Sequence, residues 1–402
     1  MSEEVIQLLM NGLLITGKAH KSGDFIQCKA VIEKLLTLIM SYDYNQDAFA
    51  KKFYRLYTAI NALFDKTQAG EVTHEVFYAQ IDDALSKFHL NPTKLRIELT
   101  RLCNLRCRYC ACNSTNPITA QTNKKHMSWD VLRNIAEQAK EIETLNELSV
   151  CGYGETFMNK EWFEMICYVL ETVPQIKKVL IQTNGMLNTK ENIDKVAQLP
   201  CERISFEVSI DGISAEETEY WRVGSKFETI KESLNYAISR LDKNKTEIWL
   251  FNVSVLPKEF LTGGKTFHDA MAHISKGNEW LRSEFPGVTV HSGYVHNYPG
   301  HAVDGTVLWE VANPDASSKI SCAYRFVMIA VDPGGDILSC PCDATDVFVL
   351  GNVAHDNMLN VWTNNAKLNE IRKMIITETG ATPCDQCNAN PSAVKRMLIK
   401  TT

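Results

Sequence analysis

The chain has 402 residues, 45% of them apolar and 22% charged, with a formal net charge of −6. That size buries a large core and predicts two or three domains. The spread-out negative balance argues against nucleic-acid binding through a broad positive field. No apolar run approaches the ~18 residues of a membrane-spanning helix. The opening MSEEVIQLLMNGLL lacks the basic n-region and small-residue cleavage site of a secretory signal. A cytoplasmic location with no membrane partner follows as the expectation. Thiols there stay reduced, so the thirteen cysteines point to metal or catalysis rather than disulfides.

In chain order, residues 1–90 read as a helical segment. Phe49, Phe53, Leu56, Tyr57, Ile60, Leu63 and Phe64 form one apolar stripe at helical spacing, and Val31, Leu35, Leu38 and Ile39 form another. Asn91–Pro92 punctuates the chain. From Leu95 strands and helices alternate. The strands are expected at 95–100, 147–152, 178–185, 203–212, 247–256 and 288–295. The helices are expected at 129–142, 160–171, 190–198, 227–241 and 266–283. Six such repeats imply an α/β fold with a parallel sheet and helices outside. No Gly-rich phosphate turn follows the first strand, which favours an open, partial (β/α)6 TIM-like barrel over a dinucleotide fold. Residues 300–320 read as a connector. A hairpin is expected at 325–339, turning at DPGGD, then a helix near 357–376 and a short CDQC segment. The expected division is a helical segment 1–90, a barrel 91–300 and a C-terminal domain 301–402.

The strands carry a further clue. In 203–211, Ile204, Phe206, Val208 and Ile210 share one face, and Ser205, Glu207, Ser209 and Asp211 share the other. In 95–100, Leu95, Ile97 and Leu99 oppose Arg96, Glu98 and Thr100. Strands of an ordinary parallel sheet are apolar on both faces. A polar inner face implies a lumen that holds a polar ligand, with Glu98, Glu207, Asn252 and His291 as its expected lining. Of these, Glu207 is the candidate catalytic base.

Cys28, Cys151, Cys167 and Cys201 are scattered singly and read as small buried residues. The other nine cysteines fall into clusters at 103–112 and 322–387. Cys103, Cys107 and Cys110, in CNLRCRYC, follow the first strand directly, at the strand end where β/α barrels place their chemistry. Thiolates suit zinc or iron–sulfur clusters. Three of them can ligate three irons of a cubane and leave the fourth open. Cys112 reads as a bystander, because a fourth ligand would close that position. Arg106 and Arg108 read as exposed charges.

This spacing after a barrel strand resembles the radical SAM superfamily, and further stretches extend the resemblance over about 93–300. Tyr109 matches the aromatic that the family uses beside the adenine. CGYGET (151–156) is similar to its Gly-Gly-Glu motif, which implies that Gly154 and Glu155 meet the methionine amino group of S-adenosylmethionine (SAM). Thr156 stands where proline is common. QTNG (182–185), with Asn184, resembles the third-strand motif. VSIDG (208–212) resembles the fourth, with Ser209 toward the cofactor's carboxylate or ribose. Arg222 falls where a carboxylate-binding arginine is common. The resemblance implies a [4Fe–4S] cluster that reductively cleaves SAM to a 5′-deoxyadenosyl radical, which takes a hydrogen atom from substrate. It also implies a reducing partner such as flavodoxin or ferredoxin.

In the tail, Cys322, Gly335 and Cys340 follow a C-x12-G-x4-C pattern that resembles the opening of the SPASM domain. DPGGDILSCPC, LGNV (350–353) and VW (361–362) continue that run. No cysteine follows Cys384-x2-Cys387, so the pattern resembles the shortened "twitch" version. Its spacing resembles that of the butirosin-pathway aminocyclitol dehydrogenase. The resemblance implies one auxiliary [4Fe–4S] cluster on Cys322, Cys340, Cys384 and Cys387, with a tetrahedral zinc site as the rival. Cys342 is the spare: an alternative ligand, a hydrogen-atom donor or a packed thiol.

The leading expectation is an oxidoreductase that dehydrogenates a sugar- or aminocyclitol-like alcohol, with the auxiliary cluster taking the second electron. A redox-neutral epimerase using Cys342 as donor is the alternative. So is a maturase of a peptide or sulfatase-type protein, and so is a non-catalytic metal scaffold. Lack of a β-hairpin in residues 1–90 weighs against a winged-helix leader-binding module. The substrate is thus a small molecule or a peptide.

Overall fold

The computed structural model describes Leu9, Gly12 and residues 25–41, 48–73, 75–77, 79–80, 91–110, 125–254, 267–294, 324–342 and 348–377. The chain packs as two compact units. One holds the described residues within 1–91, 314–327 and 363–385, and the other holds those within 92–313 and 328–362.

The first unit is helical. Helices α1 (Phe25–Met40) and α2 (Ala48–Gln68) pack on each other. The expected stripe on α2 is its buried face, with Phe53, Leu56, Tyr57, Ile60 and Phe64 all buried. On α1, Cys28 and Ile32 join Leu35 and Ile39 in the core, so Cys28 is the small buried residue expected.

The second unit is built on a nine-stranded sheet. Its strands are β1 (Lys94–Ile97), β2 (Glu147–Val150), β3 (Lys178–Thr183), β4 (Arg203–Ser209), β5 (Thr246–Ser254), β6 (Thr289–Tyr294), β7 (Met328–Val331), β8 (Asp336–Leu338) and β9 (Val349–Asn352). The order is β6-β5-β4-β3-β2-β1-β7-β8-β9. Strands β1 to β6 are parallel neighbours in chain order, which is the expected α/β alternation. Between them run α3 (Trp129–Ala139), α4 (Trp162–Thr172), α5 (Lys190–Gln198), α6 (Ala215–Trp221), α7 (Phe227–Arg240) and α8 (Phe267–Glu284). Ser128, Thr189 and Ser214 start α3, α5 and α6 by accepting a backbone N–H three residues on. Leu95, Ile97, Leu148, Val150, Val179, Ile181, Ile204, Phe206 and Val208 form one fully buried sheet face, and the helices bury Ile135, Ile166, Ile193 and Leu234. At ~25 cal/mol per Å2 of apolar surface removed from water, this layer is the main stabilising element of the unit.

The expected hairpin is β7–β8, and it adds to the same sheet. β7 pairs parallel with β1, and β8 turns back antiparallel. Gly335 N–H donates to Asp332 O at 3.0 Å to close the DPGGD turn. The described residues within 328–362, assigned from sequence to a C-terminal domain, therefore pack in the unit of the parallel strands. Short helix α9 (Tyr324–Val327) precedes β7. The helix expected near 357–376 is two, α10 (Met358–Asn364) and α11 (Ala366–Thr377), because Asn365 Oδ1 accepts Leu368 N–H and restarts the helix.

Candidate active site

Strand register sorts the polar side chains. Gln182 pairs with Glu207, and Glu207 with Trp249. Paired residues point to one side of a sheet, so these three share the inner face. Arg96, Ser149, Leu180 and Ser205 form the row before them. Lys94 and Lys178 lie 3.4 and 3.3 Å from the Glu147 carboxylate one row earlier. The inner face is polar, as expected, but Asn252 is not on it. Its Oδ1 accepts Gly212 N–H at 3.2 Å and its Nδ2 donates to Asn278 of α8, on the helix side. Glu98 is taken up by Arg101, whose Nε donates to it at 3.0 Å. His291 is exposed and meets the Trp249 ring edge to face at 4.8 Å.

The thiols lie in the loop after β1. Leu105 and Cys107 are buried; Cys103 and Cys110 are half-buried. Backbone bonds fix this loop on two sides. Arg106 N–H and Arg108 N–H donate to Val223 O and Trp221 O, both at 2.9 Å, and Glu155 N–H donates to Leu102 O at 2.9 Å. Arg106 and Arg108 are exposed, as expected, and Arg108 Nε also donates to Tyr220 O, with its guanidinium 4.3 Å over the Tyr220 ring. Leu105 N–H and Asn184 Nδ2 donate to Cys103 Sγ at 3.5 and 3.7 Å. Burial raises Cys103 to about 11 and pushes Cys107 up, while Arg222 pulls Cys107 back down.

The other expected residues gather round this loop at the carboxyl ends of β2 to β4. Gly154 sits so close that a Cβ there would meet Thr100 O at 2.2 Å and Leu102 O at 2.7 Å. Glu155 is buried and turned inward. Its carboxylate accepts Thr183 Oγ1–H at 2.8 Å and Asn184 N–H at 2.7 Å, so its oxygens hold β3 to the loop. Burial raises its pKa. Ser209 is buried at the end of β4. Tyr109 donates its hydroxyl to Asp211, and Arg222 Nε lies 2.6 Å from Asp211 Oδ2. Burial works against the Arg222 charge, yet Asp211 and Tyr109 hold its pKa well above the usual value. Asp211 was not singled out from sequence. Its place in VSIDG, on the polar side of the strand alternation, was the available signal.

Glu207 is nearly buried, and Gln182 Nε2 donates to its Oε1 at 2.5 Å. Burial raises its pKa, and the Gln182 bond partly opposes this. Cys340 is buried on the turn after β8, and Cys342 N–H donates to its Sγ at 3.3 Å. Cys342 is half-buried. Cys112, Cys322, Cys384 and Cys387 lie outside the described residues. The single cysteines Cys151, Cys167 and Cys201 are half-buried rather than buried.

The donors fit iron–sulfur ligation. Cys103 and Cys340 each accept the N–H of the residue two positions on, the kind of hydrogen bond that stabilises a cluster-bound sulfur. Among the described residues no three His, Cys, Asp or Glu side chains converge as on a single metal ion. A cluster asks for less convergence, since each thiolate binds its own iron.

Comparisons with known proteins identify the domains that carry these residues. The family model of the radical SAM superfamily matches residues 97–254, and that of the SPASM iron–sulfur cluster-binding domain matches residues 322–388. Mycofactocin maturase MftC of Mycobacterium tuberculosis is 23% identical over 309 residues, covering 70% of this chain and 73% of that protein. The antilisterial bacteriocin subtilosin biosynthesis protein AlbA of Bacillus subtilis is 23% identical over 286 residues, covering 68% of this chain and 60% of its own. The solved structure of Streptococcus suis SuiB bound to precursor peptide SuiA superposes with a TM-score of 0.51 at 12% identity, covering 79% of this chain and 80% of that one. A radical SAM domain implies a [4Fe–4S] cluster and SAM, and a SPASM domain binds auxiliary iron–sulfur clusters. The chain carries a radical SAM domain followed by a SPASM iron–sulfur domain.

Proposed function

We propose that this radical SAM enzyme oxidises a polar substrate, with Glu207 taking a proton as a hydrogen atom leaves the adjacent carbon. When bound, the [4Fe–4S] cluster and SAM supply a 5′-deoxyadenosyl radical as the hydrogen-atom acceptor, and an auxiliary cluster supplies the sink for the second electron. Cys103, Cys107 and Cys110 would hold the first cluster; Cys340, with Cys322, Cys384 and Cys387 of the tail spacing, would hold the auxiliary one. Gly154, Asn184 and Ser209 line the SAM position. Tyr109 and Arg222, both clamped on Asp211, close its buried side.

Glu207 carries this reading. It is a nearly buried carboxylate on the inner sheet face, one oxygen fixed by Gln182, with a raised pKa. A carboxylate whose pKa is raised by burial is, when ionised, a stronger base toward a hydroxyl proton than an exposed one. It lies two residues before Ser209 on the same strand, about 7 Å along it. For an alcohol the balance would close with the C–H hydrogen atom leaving to the acceptor that bound SAM would supply, the hydroxyl O–H proton passing to Glu207 and the remaining electron going to the sink that an auxiliary cluster would supply, which leaves a carbonyl. The polar inner face and the flat wall of Trp249 support a small hydroxylated substrate such as a sugar or aminocyclitol. The electron that starts each turnover comes from a small reducing protein such as flavodoxin or ferredoxin.

A peptide substrate is the second reading. It is supported by the maturase name of MftC, the bacteriocin-biosynthesis name of AlbA and the precursor peptide bound to SuiB. Anaerobically reconstituted protein with SAM, reductant and panels of polyols, aminocyclitols and precursor peptides tests both. A product lacking two hydrogens, with stoichiometric 5′-deoxyadenosine, supports oxidation. A product isomeric with the substrate in light water and one deuterium heavier in heavy water, its formation abolished by Cys342→Ser, establishes the epimerase instead.

A further inference from the structure

Arg96 stands on the inner face of β1, level with Ala330 of β7 and Ser149 of β2. Its Nε donates to Cys151 O at 3.2 Å, and its Nη1 donates to Pro341 O at 2.5 Å. Its Nη2 lies 4.0 Å from Glu98 Oε1, while the Glu98 carboxylate makes its closer bond to Arg101 at 3.0 Å. Arg96 therefore spends its short hydrogen bonds on two carbonyls. Cys151 opens the CGYGET loop, and Pro341 separates Cys340 from Cys342.

The Pro341 carbonyl and the Cys342 N–H belong to one peptide group. That N–H is the one that donates to Cys340 Sγ at 3.3 Å. A continuous chain results: guanidinium N–H to carbonyl oxygen, through one peptide, then peptide N–H to thiol sulfur. A charged donor on the oxygen polarises the peptide and strengthens its N–H as a donor, the cooperativity expected of linked hydrogen bonds in a low-dielectric interior.

We propose that Arg96 is a positioning residue that raises the reduction potential of the auxiliary cluster by acting on Cys340 through the Pro341–Cys342 peptide. This rests on the reading of Cys340 as an auxiliary-cluster ligand. One-electron reduction adds one negative charge to a thiolate-ligated cluster. A stronger N–H to the ligand sulfur and a permanently protonated guanidinium behind it both stabilise that added charge. The direction suits a cluster that accepts an electron from substrate. The same two carbonyl bonds tie the loop of Gly154 and Glu155 to the turn of Cys340, so Arg96 also fixes the spacing of the two cofactor positions.

The test uses full-length protein carrying Cys103→Ala, Cys107→Ala and Cys110→Ala, which leaves only auxiliary iron. Its cluster is titrated with dithionite and followed by electron paramagnetic resonance, alone and with Arg96→Lys or Arg96→Met added. Arg96→Lys keeps the charge but cannot bond both carbonyls with a planar fork, and its midpoint potential is expected to fall. Arg96→Met is expected to fall further or to lose the cluster. A midpoint potential in Arg96→Lys equal to that of its parent overturns the proposal, whether or not Arg96→Met folds. A triple variant that binds no iron removes the auxiliary-cluster reading, and the proposal with it.

Discussion

The Arg222 guanidinium is locked onto Asp211, with Nε 2.6 Å from Oδ2 and both side chains buried. The pair lies against the cysteine loop, where Tyr109 donates to the same carboxylate. Asp211→Asn leaves a buried guanidinium without its counter-charge, which costs about 3–5 kcal/mol. Urea unfolding of the apo protein measures it. The loss shrinks in the Asp211→Asn, Arg222→Met double variant, because the orphaned charge is gone. Equal losses in the two variants would show that the pair is not the cause.

Glu207 is predicted to govern the acidic limb of the pH–rate profile. Burial raises its pKa, so kcat/KM rises as pH passes through that raised value and the base becomes charged. Glu207→Gln lowers the rate ~100-fold or more and removes the limb. Gln182→Leu deletes the bond that stabilises the charged form, so the limb moves to higher pH. The stability effect has the matching sign. A carboxyl raised in the folded state favours folding at low pH, and this contribution is lost as pH rises through the folded pKa.

Gly154→Ala forces a Cβ into the backbone oxygens of Thr100 and Leu102. Both neighbours are main chain, so the loop itself must shift, at a cost of about 1–3 kcal/mol. The expected result is a lower melting temperature with weakened SAM binding by calorimetry. Unchanged affinity would show that the loop does not touch the cofactor.

Cys340 and Cys342 are predicted to separate in iron content. Cys340→Ala removes about four irons per chain from the reconstituted protein. Cys342→Ala retains them, because the donated N–H is backbone and survives the substitution. Iron analysis with visible absorption reads both. Loss of iron in Cys342→Ala alone would reverse the assignment.

The strand alternation from Leu95 onward was legible because buried strands are short apolar runs between helical stripes. The DPGGD hairpin was legible from turn chemistry. Asn252 was misplaced because β5 does not keep polarity in phase with its faces. Trp249 and Phe251 share the inner face with Glu207 and Ser209, and polar Asn252 turns to the helices. Glu98 was placed on the right face, but Arg101 had already taken it, a pairing that strand periodicity alone does not carry.

By itself, the sequence determined the chemistry. Three thiols within eight residues after a strand present three soft ligands whatever the surrounding details, because chain connectivity keeps them together. The tertiary structure decided which charges remain available. Asp211 clamps Arg222, Arg101 holds Glu98, and Arg96 reaches across 245 residues of chain to the Pro341 carbonyl. Those pairings depend on sheet register and on β7 lying beside β1. They follow from burying an apolar layer on the opposite face, a global requirement that no local stretch of residues expresses.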